Sequence, residues 1–383
     1  MRVGVRSSQL AADAGGGHTF EREIFESLLE LAPSSPHRFV AMGGLRDLPP
    51  PPGDPPALEV VPRRSLAGRG LRRALRGTDH EVEETGVDVV WNLSPFLPPT
   101  EVPFLTVVWD LQHRLQPFFP EVSRGGEWAR REAHFSRLLK RAAAVITGTE
   151  AGRQEIAGFY QVPESRIHVL PHPTPRFALA AGDAAPGDGG GPPRDGHVLY
   201  PAQFWPHKNH VSLLEALRLL RDEGLVLPLE LVGSDKGNQA AVRRLAADLG
   251  LAEQVRFRGF VPLAELVALY RAASCLAYPS LFGPENLPPL EAFALGCPVV
   301  ASDVPGSEEQ LGDAALRVDA TRPAELAAAL HRVHGDAALR ATLVERGRAR
   351  ALRFTGRHFV EGVFRILDGL APFVRCWRPG ESR

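Results

Sequence analysis

Cysteine is scarce, with three residues in 383, and Cys275, Cys297 and Cys376 cannot make a paired disulfide framework. Cys275 and Cys297 lie in apolar runs, as buried thiols of a reducing compartment do. Long apolar runs are missing too. No stretch approaches the roughly 20 residues of a membrane-spanning helix. The opening MRVGVRSSQLAADAGGG lacks the apolar core of a secretion signal. Neither sign of charge is in excess: 44 Lys and Arg stand against 45 Asp and Glu, a net −1, which excludes a global attraction to nucleic acid. No paired-acid motif sits at an evident strand end, and no Cys/His spacing suits a metal ion.

What is present is alternation. RVGV, HRFVAMGG, ALEVVP, VDVVWN, PFLTVVWD and AAVITGT read as strands of the first half, and TFEREIFESLLELA and EWARREAHFSRLLKRA as amphipathic helices. The second half repeats the style. Its strands are GHVLYPA, LPLELVGS, VRFRGF, CLAYPS, CPVVASD and AALRVD. Its helices are VSLLEALRLLRDEG, QAAVRRLAADLGL, LAELVALYRAA, PPLEAFALG and PAELAAALHRVHG. Such alternation predicts parallel sheets covered on both faces, with ligands beyond the carboxyl ends of the strands. Residues 178–196, rich in Gly, Pro, Asp and Ala, read as a linker, and DLPPPPGDPPA near residues 47–57 as a loop. Arg63, Arg64, Arg69, Arg72, Arg73 and Arg76 form a basic cluster, either a solvated face or a contact for anionic lipid or an acidic acceptor.

Three stretches carry chemistry. In DAGGGHTFEREIF, glycines precede a helix whose free N–H groups suit a phosphate, with Thr19 as the expected N-cap. The pattern is not GxGxxG, and no acidic residue is placed for a ribose about 20 residues on, which argues against a dinucleotide. A plain turn and a ligand loop both fit. In YPAQFWPHKNHVSLLEAL, Lys208 falls between a strand end and a helix start, where an ammonium pairs with a diphosphate; an ordinary exposed lysine is the other reading. In SLFGPENLPPLEAFALG, two prolines suit a first helical turn, and Glu291 is placed in that turn. It is a helix-terminus carboxylate, a ribose ligand, or both.

The stretch from FRGFVPLAELV through LEAFALGCPVVASDVPGSEEQLGDAALRVD, together with WPHKNH, VITGTEAGRQEI and VDVVWNLSP, resembles the family 4 retaining glycosyltransferases of glycosyltransferase group 1. The resemblance implies an α/β, GT-B fold: two Rossmann-like domains with parallel sheets facing a central cleft. It divides the chain into an acceptor domain over 1–177, the linker, a donor domain over 197–353, and a helical segment over 354–383 packing back on the first domain. In the family two glutamates with seven residues between them line the donor pocket. The second, which holds the ribose, matches Glu291. The first falls on Gly283, leaving Glu285 as the carboxylate able to substitute. Gln203 stands where an arginine commonly assists Lys208. The implied donor-binding set is Gly16, Gly17, Gln203, Lys208, Gly233, Phe260, Asn286, Leu287 and Glu291, with N–H groups around Asn286 and Leu287 free for phosphate or sugar. The implied catalytic set is Lys208, Glu285, Asp110 and His113; His18 and His172 are further cleft residues.

The implied activity is metal-independent, retaining transfer of a sugar to an acceptor hydroxyl. It needs no cofactor beyond a nucleoside diphosphate sugar as co-substrate. No nucleic-acid partner is expected. The expected location is the cytoplasm, with peripheral contact at the inner membrane face left open. A nucleotide-sugar epimerase and a non-catalytic sugar-nucleotide-binding protein are the competing readings.

Overall fold

A computed structural model describes residues 1–8, 15–47, 58–60, 82, 85–183 and 196–377. The arginine cluster at 63–76 lies outside them. The chain forms two compact units. One comprises Met1–Leu111, Ala129–Pro171 and Gly356–Arg383, and the other Gln112–Trp128 and His172–Thr355.

The first unit is built on a parallel sheet of seven strands: β1 (Arg2–Ser7), β2 (Arg38–Gly43), β3 (Leu58–Val60), β4 (Val89–Asn92), β5 (Phe104–Val107), β6 (Ala144–Thr147) and β7 (Ile167–Val169). Their spatial order is β3-β2-β1-β4-β5-β6-β7. The sheet has a core on each face, so its strands read as continuous apolar runs rather than alternating ones. Val3, Val5 and Trp91 pack on one side, and Val40, Met42 and Val90 on the other. Helix Gly16–Leu31 covers the first face and helix Gly356–Trp377 packs beside it. The last helix carries Phe359, Val360, Val363, Ile366, Leu367 and Val374 at helical spacing, and Phe359 meets Phe20 edge-to-face at 5.4 Å. A Cβ added to Gly356 would lie 2.0 Å from Ser27 Oγ, so only glycine lets that helix begin this close to its neighbour.

The second unit holds six parallel strands: β8 (Val198–Pro201), β9 (Leu229–Val232), β10 (Val255–Gly259), β11 (Cys275–Tyr278), β12 (Val299–Ser302) and β13 (Ala315–Val318). Their order is β10-β9-β8-β11-β12-β13. This is the doubly wound order, and its switch point lies between β8 and β11. Cys275 and Cys297 are buried here, and Cys376 is exposed. Among the described residues no helix is long and apolar enough to cross a membrane.

Three expectations change. Residues 178–183 are not linker: they end the helix Arg176–Asp183, whose Ala178 is fully buried. The rest of that stretch up to residue 195 lies outside the described residues. Thr19 is not an N-cap, because the helix begins at Gly16 behind Gly15. Gly15 has φ 81°, a left-handed conformation that suits glycine. Glu291 is not in a first turn; its helix runs Leu287–Ala294 and places it in the second.

Candidate active site

The site is built at the switch point. After β8 the chain passes through a 3-10 turn, Pro206–Lys208, into helix His210–Asp222. Asn209 joins the two with φ 53°. Its Oδ1 accepts from Ser212 Oγ at 2.9 Å, and its Nδ2 donates to Pro279 O at 3.2 Å and Ala320 O at 2.9 Å. One side chain thus caps a helix and pins the loops after β11 and β13. Tyr200, buried in the sheet, donates its hydroxyl to Lys208 O.

This scaffold aims the Lys208 ammonium across the switch point. Nζ lies 3.1 Å from Tyr278 Oη, 3.4 Å from Ser280 Oγ and 3.4 Å from Asn286 Oδ1. All three are neutral oxygens. Among the described residues no carboxylate stands within salt-bridge distance of it, so its charge is uncompensated in a part-buried place. The same three side chains line a small hollow with Gly283, Ser302 and Gln310. Asn286 is held there by Gln310, which accepts from its N–H at 3.0 Å and donates to its carbonyl at 3.0 Å. That engages an N–H expected to be free for phosphate. Pro288 and Pro289 have none to offer, so the first turn of Leu287–Ala294 is a sparse anion site, and the positive charge of Lys208 matters more.

Two carboxylates of this loop and helix are buried. Glu291 Oε2 accepts from the buried Tyr270 hydroxyl at 2.7 Å. Burial pushes its carboxyl up to about 7, against the lowering effect of that bond. Glu285 is turned toward His172: Oε1 accepts the His172 main-chain N–H at 2.6 Å, and Oε2 lies 3.6 Å from Nδ1. Its side chain is 3% exposed, and it is not among the residues lining the hollow. Burial pushes Glu285 up to about 8, opposed by the His172 N–H bond and assisted by Glu309, while burial pushes His172 down to about 4. At pH 7 a neutral acid therefore faces a neutral imidazole. Gly283, at φ 127°, could not take the family's glutamate without displacement: an added Cβ would sit 2.7 Å from Asn286 Oδ1.

An expected result follows for Glu285. Its folded pKa lies above the ordinary value, so the stability it contributes is present below about 4.5 and is lost as pH rises through about 8. Glu285→Gln, neutral at every pH, should melt closest to the wild type near pH 4.5 and gain on it steadily up to about pH 8. Glu285→Ala should melt lower at pH 7. Parallel melting curves for the Gln variant and wild type across that range would contradict the assignment.

The remaining residues divide. Gln203 is fixed between Trp205 Nε1, which it accepts at 3.0 Å, and Ser234 Oγ, to which it donates at 3.3 Å. Gly233 lets β9 end against the loop after β8, since an added Cβ would meet Ala202 O at 2.3 Å. Phe260, after β10, is 60% exposed. In the first unit, Gly16 and Gly17 begin the first helix and His18 follows them. Asp110 stands after β5, 3.4 Å from Arg131 Nη1. It also bears on Glu155, whose carboxyl is raised to about 7 by burial and then by the Asp110 charge. His113 belongs to the second unit, is fully buried, and meets Trp128 edge-on at 6.4 Å.

Sequence reasoning missed Glu121. Its Oε1 accepts from His207 Nδ1 at 2.5 Å and from His207 N at 3.1 Å, one residue before Lys208. Burial alone would raise this carboxyl, but the bonds from His207 hold it below the usual range. From the same segment Gln116 donates to Leu281 O at 2.9 Å. Residues 112–128 thus brace the loops after both β8 and β11. The FPE in QPFFPE was the visible signal, without a partner to give it meaning.

Residues 188–350 match the family model for glycosyl transferases group 1. This segment belongs to that family. A D-inositol 3-phosphate glycosyltransferase of Acidothermus cellulolyticus is 33% identical over 247 residues, 61% of this chain and 55% of that protein. The O-antigen chain mannosyltransferase B of Escherichia coli is 35% identical over 162 residues, 42% of each chain. The chain spans about half the length of these curated relatives. The crystal structure of Anabaena Alr3699/HepE in complex with UDP and glucose superposes with a TM-score of 0.68 over 97% of this chain and 100% of that one, at 16% identity. That likeness concerns the fold: the two-Rossmann-domain, GT-B architecture of glycosyltransferases. Within this glycosyltransferase segment fall Gln203, Lys208, Gly233, Phe260, Glu285, Asn286, Leu287 and Glu291.

Proposed function

We propose that the chain is a family 4 type, retaining glycosyltransferase that moves a hexose from a nucleoside diphosphate to an acceptor hydroxyl without a metal ion. The observation that carries this is the uncompensated Lys208 ammonium at the switch point of the donor-type unit. Relatives named for glycosyl and mannosyl transfer, and a fold neighbour holding UDP and glucose, support the donor class. In the proposed step the bond from the anomeric carbon to the diphosphate oxygen breaks, and its electron pair leaves on the diphosphate. The acceptor oxygen bonds to the same face of that carbon, and its proton passes to the departing phosphate. Lys208 stabilises the charge that develops there. Glu291 is the ribose ligand in this reading, and the exposed Phe260 is assigned to stack on the base. Glu285 acts by tethering the loop through His172 rather than by gripping the sugar.

The test is turnover of a panel of nucleoside diphosphate hexoses with EDTA present, with the anomeric configuration of the product read by proton NMR. Transfer with retention and undiminished by EDTA is the expected outcome; inversion or loss of rate with EDTA contradicts it. One observation favours a second reading, a sugar-nucleotide-binding protein without turnover: no carboxylate lines the hollow beside Lys208. Donor binding with neither transfer nor hydrolysis across the panel would establish that reading instead.

A further inference from the structure

The first unit carries a second concave feature on its outer layer. Helix Glu127–Arg141 presents Arg130, His134, Arg137 and Arg141 at offsets of 0, 4, 7 and 11, a spacing that puts them in one stripe. Beside that stripe runs the segment from Leu97 to Phe104. The two enclose a groove of about 290 Å³. Its floor and walls are apolar, made by Leu97, Pro98, Pro99, Phe104, Ala133 and Leu138. Its rim is cationic.

The rim is held in place. The Arg130 guanidinium stacks 4.6 Å over the Phe96 ring, and Arg141 Nη2 donates to Thr100 O at 2.8 Å. His134 is in contact with Pro95 O at 3.1 Å, and burial, with Arg130 and Arg137 adding to it, holds its imidazole below the ordinary range. The positive charge is therefore that of the arginines. Among the described residues no carboxylate lies within salt-bridge distance of Arg137 or Arg141. Arg137 and Arg141, one turn apart on the helix, repel, so that pair costs stability unless an anion offsets it. A concave, apolar-walled groove of this volume is a candidate ligand site, and the chemistry of this one has two halves. The floor offers no exposed aromatic platform on which bases would stack. It offers a channel for a hydrocarbon chain ending under guanidinium groups that bind phosphate in forked geometry.

We propose that the groove between Leu97–Phe104 and helix Glu127–Arg141 binds one hydrocarbon chain of an anionic lipid, with the lipid phosphate on the arginine row. This site is independent of the transfer chemistry assigned to Lys208.

The test uses the full chain and two surface variants. Ala133→Trp fills the groove without changing charge, and Arg137→Glu reverses one rim charge without removing a bond seen in the fold. Binding is measured to monomeric dodecyl phosphate, to inorganic phosphate, and to vesicles of phosphatidylglycerol or phosphatidylcholine. Wild type should bind dodecyl phosphate at least tenfold more tightly than inorganic phosphate, and should sediment with phosphatidylglycerol vesicles but not phosphatidylcholine ones. Each variant should weaken dodecyl phosphate and phosphatidylglycerol binding about tenfold while melting within a degree or two of wild type. No binding of dodecyl phosphate, or binding unchanged in both variants, overturns the site. Weakening by Arg137→Glu alone reduces it to a surface charge effect and overturns the chain groove. Weakening by Ala133→Trp alone overturns the role of the arginine row.

Discussion

Lys208→Ala is expected to lower kcat for transfer by roughly a hundredfold to a thousandfold, the loss that follows removal of one donor aimed at developing charge. The ammonium is held by Tyr278, Ser280 and Asn286, all neutral, so nothing in its surroundings already spends its charge. The diphosphate carries more negative charge at the transition state than in the bound donor, so the loss falls on kcat more than on KM. Lys208→Arg should recover only part of the rate, because a forked guanidinium does not fit a place made for a point charge. Steady-state kinetics on the best donor checks both. A rise in KM at unchanged kcat would show that Lys208 binds the donor uniformly and takes no part in its departure.

Glu291→Ala is expected to destabilise the second unit as well as weaken nucleotide binding. The Tyr270 hydroxyl is fully buried and donates to Glu291 Oε2 at 2.7 Å; its other acceptor, Pro288 O, is at 3.3 Å. Losing the better acceptor in a buried site costs about 1–3 kcal/mol. Glu291→Gln keeps an acceptor and should lose less. The sign with pH is fixed by the raised carboxyl. Stability from protonated Glu291 is present below about 4.5 and is lost as pH rises through about 7, so the Gln variant should gain on wild type between those values and hold the gain above neutrality. Urea denaturation at pH 6 and pH 8 measures this. An unchanged midpoint for Glu291→Ala would show that Tyr270 finds another partner at no cost.

Much of this was legible before any coordinates. Parallel strands buried on both faces leave apolar runs such as VDVVWN and CLAYPS, and the helices between them carry one apolar stripe, so local pattern sufficed to find the strands and the fold class. The place of Lys208 between a strand end and a helix start was legible; its neutral surroundings of Tyr278, Ser280 and Asn286 were not. Short or weakly patterned elements were not: β7 is three residues with His168 at its centre, and ALAAGD in Arg176–Asp183 reads as linker until Ala178 is seen in the core. Contacts between distant residues were the other blind spot. Glu121 and His207 are 86 residues apart, Glu285 reaches His172 across 113, and neither pairing has a local signature. Glu285 is a case of this: a carboxylate near a vacant motif position suggested a sugar ligand, and the fold turns one of its oxygens to the His172 main-chain N–H.

The most direct measurement is calorimetric titration of the full chain and Lys208→Ala with a nucleoside diphosphate and with the matching unphosphorylated nucleoside. The account predicts that wild type prefers the diphosphate by at least tenfold, that Lys208→Ala loses most of that preference, and that both proteins bind the nucleoside alike. Equal affinity of wild type for the two ligands, or an undiminished preference in Lys208→Ala, would contradict it.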